Sequence, residues 1–136
     1  MADRALSDKL QNLGIAPTRQ RLRIAAAMLA APQHLSADQV LAEVNRRGSG
    51  VSKATVYNTL RLFTERGLLR EVVVDPNRVF YDSTIRAHHH FYNPATGELT
   101  DIPADRLTVS GLPETPAGTE AAEVEVIVRL RERASA

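Results

Sequence analysis

The stretch Ser52-Lys53-Ala54-Thr55-Val56-Tyr57-Asn58-Thr59-Leu60-Arg61-Leu62-Phe63-Thr64-Glu65-Arg66-Gly67 decides the fold. Ser52 has the short hydroxyl side chain that satisfies orphan N–H groups at a helix start, and Gly67 supplies a left-handed stop. Between them Val56, Leu60 and Phe63 make an apolar stripe. Ala54, Tyr57, Asn58 and Arg61 fall at i, i+3, i+4 and i+7 on the opposite face. Such a helix has one side for a core and one for solvent or a partner. Downstream, two β-rich runs at 68–74 and 78–82 flank Asp75-Pro76-Asn77 and predict a short hairpin.

Upstream, three more helices are predicted. Leu6, Leu10 and Leu13 repeat at helical spacing and Gly14 follows as a stop. After Pro17, Thr18 caps a second helix with Leu22, Ala25, Met28 and Leu29 inward, and Pro32 ends it. Ser36 followed by Gln39 has capping-box spacing and opens a third helix that buries Val40, Leu41 and Val44. Arg46-Arg47-Gly48-Ser49-Gly50 reads as a basic loop. Four helices and a hairpin within residues 1–84 describe a winged helix-turn-helix, the fourth helix as groove reader and the hairpin as wing.

The remainder, 85–136, is shorter and more β-like. Residues 88–92 read as a strand, 93–97 as a turn and Glu98–Ile102 as the return. Residues 105–116 are rich in turn formers, with room for one helical turn. Val124, Val126, Val128 and Leu130 alternate with Glu125, Ile127, Arg129 and Arg131 as a half-buried strand. So few large side chains do not make an independent core, and burial against a second copy is the expected remedy. The fold class is therefore α+β: an N-terminal winged helix-turn-helix followed by a small α/β dimerisation domain.

Composition narrows the function. The chain has 136 residues, 43% hydrophobic and 24% charged, which suits a globular protein. No apolar run approaches the roughly 20 residues of a membrane span, and no apolar block follows Asp3 and Asp8 to make a signal peptide. A cytoplasmic protein with no membrane partner is the expectation. The absence of cysteine removes disulfides, zinc-thiolate sites and cysteine nucleophiles together. The net charge of +1 hides a split. Residues 1–84 carry twelve Lys and Arg against eight Asp and Glu, +4, and residues 85–136 five against eight, −3. The basic part matches a polyanion partner.

On the fourth helix, Tyr57 and Asn58 suit base edges, since Asn pairs with adenine and a Tyr ring packs on a thymine methyl. Lys53, Thr55 and Arg61 suit phosphates, as does Arg19, which shares a turn with Arg21 and Arg23. The competing reading is a plain amphipathic helix with a solvated face. Three of the four histidines are consecutive, His88, His89 and His90. On a strand, His88 and His90 share one face, about 6–7 Å apart by the 3.3 Å rise, a spacing that suits two ligands of one ion. Further donors are available in Asp82, Asp101 and His34. Imidazole with carboxylate suits Zn(II), Fe(II) or Mn(II), and His also ligates haem iron. The competing reading here is a polar surface strand. A His-based metalloenzyme or metal carrier is the different class. The chain shows no zinc-hydrolase helix signature, nucleophile motif or Gly-rich phosphate loop, and no enzymatic activity is expected.

Residues 14–21, Gly-Ile-Ala-Pro-Thr-Arg-Gln-Arg, His34-Leu35-Ser36-Ala37-Asp38, Ala54-Thr55-Val56-Tyr57-Asn58-Thr59-Leu60 and His88-His89-His90 resemble the ferric uptake regulator (Fur) family. Those proteins are dimeric, metal-responsive winged-helix repressors. Within the family the chain is most similar to the iron response regulator, Irr, of alphaproteobacteria. The features are His88-His89-His90-Phe91-Tyr92, Asn58 after the Tyr, and the run Val126-Ile127-Val128-Arg129-Leu130-Arg131. The resemblance implies a homodimeric regulator of operator DNA with His34, Asp82, His88, His90 and Asp101 as its sensory metal site. Similarity to Irr implies iron status as the signal and haem held by His88, His89 or His90, so the expected cofactor is haem, one divalent ion (Fe, Mn or Zn), or both. The alternative is a conventional Fur-like repressor with Mn(II), Fe(II) or Zn(II) as corepressor and no haem. The chain departs from the family at a second site, where Thr108 replaces a carboxylate and no histidine follows His90. Asn93 and Thr96 stand where many members carry Cys-x-x-Cys, and Ala16 where Lys or Arg is common.

Overall fold

The structure, a computed structural model, describes residues 2–46, 48, 50–86 and 88–134. Arg47 and Ser49 of the predicted basic loop lie outside the described residues. The chain divides into two compact units, one ending at Ile85 and one beginning at Arg86.

The first unit holds four helices, α1 Ala2–Asn12, α2 Arg19–Leu29, α3 Ala37–Asn45 and α4 Lys53–Glu65. Their starts are set by the side chains expected to cap them. Thr18 Oγ1 accepts from Arg21 N, Ser52 Oγ accepts from Thr55 N, and Ser36 with Gln39 forms a complete capping box. α1 and α4 end alike. Ile15 N–H reaches back to Leu10 O and Gly14 N–H to Gln11 O, as Leu68 and Gly67 do to Phe63 and Thr64. Both glycines take the positive φ that this closure needs, +74° and +80°.

The helices bury Leu10, Ile24, Ala25, Met28, Val40, Val56, Leu60 and Phe63 completely. Ile24, absent from the predicted stripe of α2, is among them, while Leu22 and Leu29 are only half-buried. The hairpin is β2 Arg70–Asp75 with β3 Arg78–Asp82, and Asn77 N–H donates to Asp75 Oδ1 across its turn.

A third strand was not foreseen. β1, His34–Ser36, pairs antiparallel with β3, giving the order β1-β3-β2. Gln33 explains it. Its Nε2 donates to Ala27 O and Met28 O, closing the end of α2, and its backbone exchanges hydrogen bonds with Ser83. That anchor sets His34 opposite Asp82 in the ladder.

The second unit is a three-stranded sheet of order β5-β4-β6, from β4 His89–Asn93, β5 Glu98–Ile102 and β6 Ile127–Arg129. β4 and β5 pair antiparallel across the 93–97 turn, closed by Gly97 N–H to Asn93 O. β6 runs parallel to β4. Three expectations need correction. His88 precedes the strand rather than opening it, because its Nδ1 lies 2.7 Å from Arg86 O and turns the backbone aside. The helical turn is a 3₁₀ turn at Ala104–Arg106, one residue earlier than the stretch expected to hold it. The last strand covers three residues, not eight, with Val124 and Leu130 37% and 38% exposed. Alternation gives the period of a strand but not its length, which depends on how far β4 offers a partner. No helix among the described residues is long and apolar enough to cross a membrane.

Candidate metal centre and nucleic-acid interface

The β4–β5 register pairs His90 directly with Asp101, and the side chains follow. A single oxygen, Asp101 Oδ1, lies 3.1 Å from His90 Nε2 and 3.2 Å from His88 Nε2. The His88 and His90 rings lie 4.3 Å apart between centroids, tilted 50° to one another and closer than the strand rise alone predicts, because His88 is bent out of the strand. Each of the three residues brings one ligand atom within 4.8 Å of the others. His90 is wholly buried and Asp101 is open to solvent. Two imidazole nitrogens and a carboxylate are a donor set for Zn(II), Fe(II) or Mn(II), and the chain has no thiolate to compete.

His89 does different work. Its ring points to the other face of β4, as strand alternation requires, and its Nδ1 accepts from Val126 N–H at 2.9 Å. His90 N–H donates to Val126 O at 3.1 Å, so one residue of the final strand segment is held twice.

In the first unit His34 and Asp82 face one another in the β1–β3 ladder. Asp82 is 1% exposed and its Oδ1 accepts from Thr84 N–H. The His34 ring meets Phe80 edge-on at 6.4 Å.

The residues proposed for nucleic acid lie on the solvent side of α4 or at the start of α2. Lys53, Tyr57, Asn58, Arg61 and Arg19 are exposed and Thr55 is half-buried. Lys53 Nζ sits 5.7 Å over the Tyr57 ring and 3.7 Å from Asp38 Oδ1. Thr55 Oγ1 accepts from Ser52 Oγ at 2.8 Å, so its hydroxyl first serves the helix cap. A polar groove of about 330 Å³ runs between Thr18, Gln20 and Arg21 of the α2 start and Thr55, Asn58 and Thr59 of α4. A second cleft, about 390 Å³, separates Tyr57 from Arg78 and Tyr81 of the hairpin. Tyr81 is pushed above its ordinary 10.0 by burial first, then by Glu71 and Tyr57, with Arg61 opposing.

Arg78 and Tyr81 of the second cleft were not singled out for nucleic acid. Their signal is in the hairpin, which carries them beside α4, not in any motif of their own. Glu125, 3.8 Å from His90 Nδ1, was also missed. The 35 positions that separate it from His90 close only through the β4–β6 pairing.

A family model described as the ferric uptake regulator family matches residues 12–126. A peroxide-responsive repressor PerR of Staphylococcus saprophyticus is 28% identical over 93 residues, 68% of this chain and 63% of that protein. The PerR of Staphylococcus aureus Mu50 is 26% identical over 98 residues, 72% and 66% of the two chains. The chain thus spans just under two thirds of the length of these curated relatives. Among solved structures, the ferric uptake regulator from Pseudomonas aeruginosa with manganese superposes with a TM-score of 0.69 at 22% identity, over 94% of this chain and 98% of that one. The Vibrio cholerae ferric uptake regulator superposes at 0.70 and 19% identity, over 90% and 96%. At such identities the likeness establishes the fold.

Proposed function

The chain belongs to the ferric uptake regulator family, and we propose from that premise that it is a metal-responsive transcription regulator binding operator DNA as a homodimer, without enzymatic activity. The observation that supports this most directly is the convergence of His88 and His90 on one oxygen of Asp101. Residues 1–84 are the proposed DNA-binding domain, a winged helix-turn-helix with α4 as reader and the β2–β3 hairpin as wing. Tyr57 and Asn58 address bases; Arg19, Lys53, Thr55 and Arg61 address phosphates. Residues 85–136 are the proposed dimerisation and sensing domain.

His88, His90 and Asp101 are the proposed core of the metal site. His34 and Asp82 are proposed as further ligands on the family resemblance and on their pairing in the β1–β3 ladder. A divalent ion there would supply positive charge to a carboxylate-containing donor set. It raises DNA affinity only insofar as it binds the DNA-competent arrangement more tightly than the other.

Similarity to Irr offers the finer version, in which iron status is the signal and haem occupies His88, His89 or His90. The divalent-ion reading has the better support. The wholly buried His90 and the hydrogen-bonded Nδ1 of His89 are already committed within the sheet, and haem needs an open approach to an imidazole.

The test is selection of duplexes from a random pool, followed by affinity measurement with Mn(II), Fe(II), Zn(II), a chelator or haem. The proposal expects sequence-selective binding that a chelator weakens, and loss of that dependence in His90→Ala. Selection of no sequence under any condition overturns the regulator. A haem-dependent absorption change accompanied by altered DNA affinity moves the assignment from the divalent ion to haem.

A further inference from the structure

Asp101 occupies one side of the His90 ring, and a second carboxylate stands at the other. Glu125 Oε1 lies 3.8 Å from His90 Nδ1, while Nε2 faces Asp101. Glu125 reaches this position through backbone contacts outside its own side chain. The next residue, Val126, accepts from His90 N–H and donates to His89 Nδ1, so both bonds that fix the chain there come from β4. The consecutive histidines therefore divide the labour. His88 and His90 turn Nε2 to Asp101, and His89 fastens the segment that carries Glu125.

We propose that Glu125 is a positioning residue for His90 and, through it, for the metal site of the preceding section, on which this inference rests. A neutral imidazole ligates through one nitrogen only if its proton sits on the other. For His90, Nε2 is the nitrogen aimed at Asp101 and His88, so the proton belongs on Nδ1. A carboxylate 3.8 Å away, against a ring with no solvent exposure, favours that tautomer electrostatically even at ion-pair rather than hydrogen-bond distance. It also adds negative charge near a dication. Carboxylate behind imidazole behind metal is a general way of orienting a ligand ring, and losing the carboxylate costs about 10–100-fold in metal affinity.

The experiment uses the full chain and three probes, Mn(II), Zn(II) and Co(II), titrated against a competing chelator. Glu125→Ala is expected to weaken all three by about 10–100-fold. Glu125→Gln, which keeps the shape of the side chain and an oxygen dipole beside Nδ1 but not the charge, recovers part of the loss. The Co(II) absorption bands shift in energy while their intensity, which reports ligand number, stays constant. An affinity within about twofold of the parent in Glu125→Ala overturns the proposal, since it falls well short of a second-sphere effect. A changed Co(II) coordination number also overturns it, because Glu125 would then be a ligand. Should Glu125→Ala fail to fold, Glu125→Gln decides alone. A loss of about 3–10-fold supports the role and parity overturns it, as an amide keeps the shape of the side chain but not its charge. His90→Ala is measured beside them. If the parent chain binds none of the probes, or binds them equally without His90, the metal site itself fails and Glu125 with it. If His90→Ala abolishes binding and Glu125→Ala leaves it intact, only the positioning role fails.

Discussion

Gly14 and Gly67 close two helices in the same way, yet they stand in different company. A Cβ on Gly67 would meet nothing within 4 Å, whereas one on Gly14 would meet Arg66 Nη1 at 2.6 Å. That guanidinium is not idle: it donates to Leu13 O at 3.1 Å and Gly14 O at 3.0 Å, tying the end of α1 to the end of α4. Gly67→Ala therefore costs only the left-handed backbone, about 1–2 kcal/mol. Gly14→Ala costs that plus the displaced guanidinium, about 1 kcal/mol more. Urea midpoints at constant slope measure both, and equal losses would show that Arg66 moves freely. Tyr81 gives a pH test at the same scale. Its folded pKa lies above the ordinary 10.0, so the folded chain holds its phenolic proton more tightly than the unfolded one. The stabilisation is complete below pH 10 and declines as pH rises through the interval above it. Melting curves should fall across that interval in the parent and fall less in Tyr81→Phe. Parallel curves would place the titration elsewhere.

At the scale of the element, α4 was legible almost to the residue because each of its signals is local. Ser52 and Gly67 mark its ends, and Val56, Leu60 and Phe63 lie at intervals that only a helix turns to one side. β1 was illegible for the opposite reason. Three residues between Pro32 and the cap Ser36 carry no period, and the strand exists because Gln33 finds Ser83 fifty residues away. The candidate site follows the same division. The three histidines and Asp101 are visible in the sequence as residue types, but the meeting of His88 and His90 at one oxygen of Asp101 depends on the β4–β5 register. Glu125 depends on β6, whose three-residue length no alternation predicts. The exposed face of α4 makes its own prediction. Tyr57→Ala should reduce specific DNA binding by about 1–3 kcal/mol and leave random-sequence binding nearly unchanged, if the ring touches a base. Arg19→Ala should weaken every sequence alike and lower the salt slope by about one phosphate contact. Titrations at several salt concentrations separate the two. A Tyr57 variant with undiminished preference for selected DNA removes that ring from the reader.

Across the whole molecule the two units are unequal in what they bury. The first packs α1 to α4 around a continuous apolar core, with Phe63, Leu60 and Met28 wholly enclosed. Among the described residues of the second, the buried apolar side chains are Tyr92, Leu99 and Ile102, and the polar His90 is buried with them. Phe91, Val109, Leu112, Val124 and Leu130 of the same unit remain exposed. A sheet so lightly filled needs stabilisation beyond its own contacts, and the two sources proposed above are a second copy and a bound ion. Both act by mass action on the folded state. An ion at a hundred times its dissociation constant adds about 2.7 kcal/mol to the free energy of unfolding, provided that it ignores the unfolded chain. Hydrogen exchange locates the gain. With Mn(II) or Zn(II), protection should rise most in β4 and β5, whose ladder pairs His90 with Asp101, and much less in α1 and α2. His90→Ala should show the same exchange with and without the ion. Raising the protein concentration should increase protection of the second unit in both proteins, because self-association does not need the imidazole. If the ion protects His90→Ala as fully as the parent, it binds somewhere other than the Asp101 oxygen on which His88 and His90 converge.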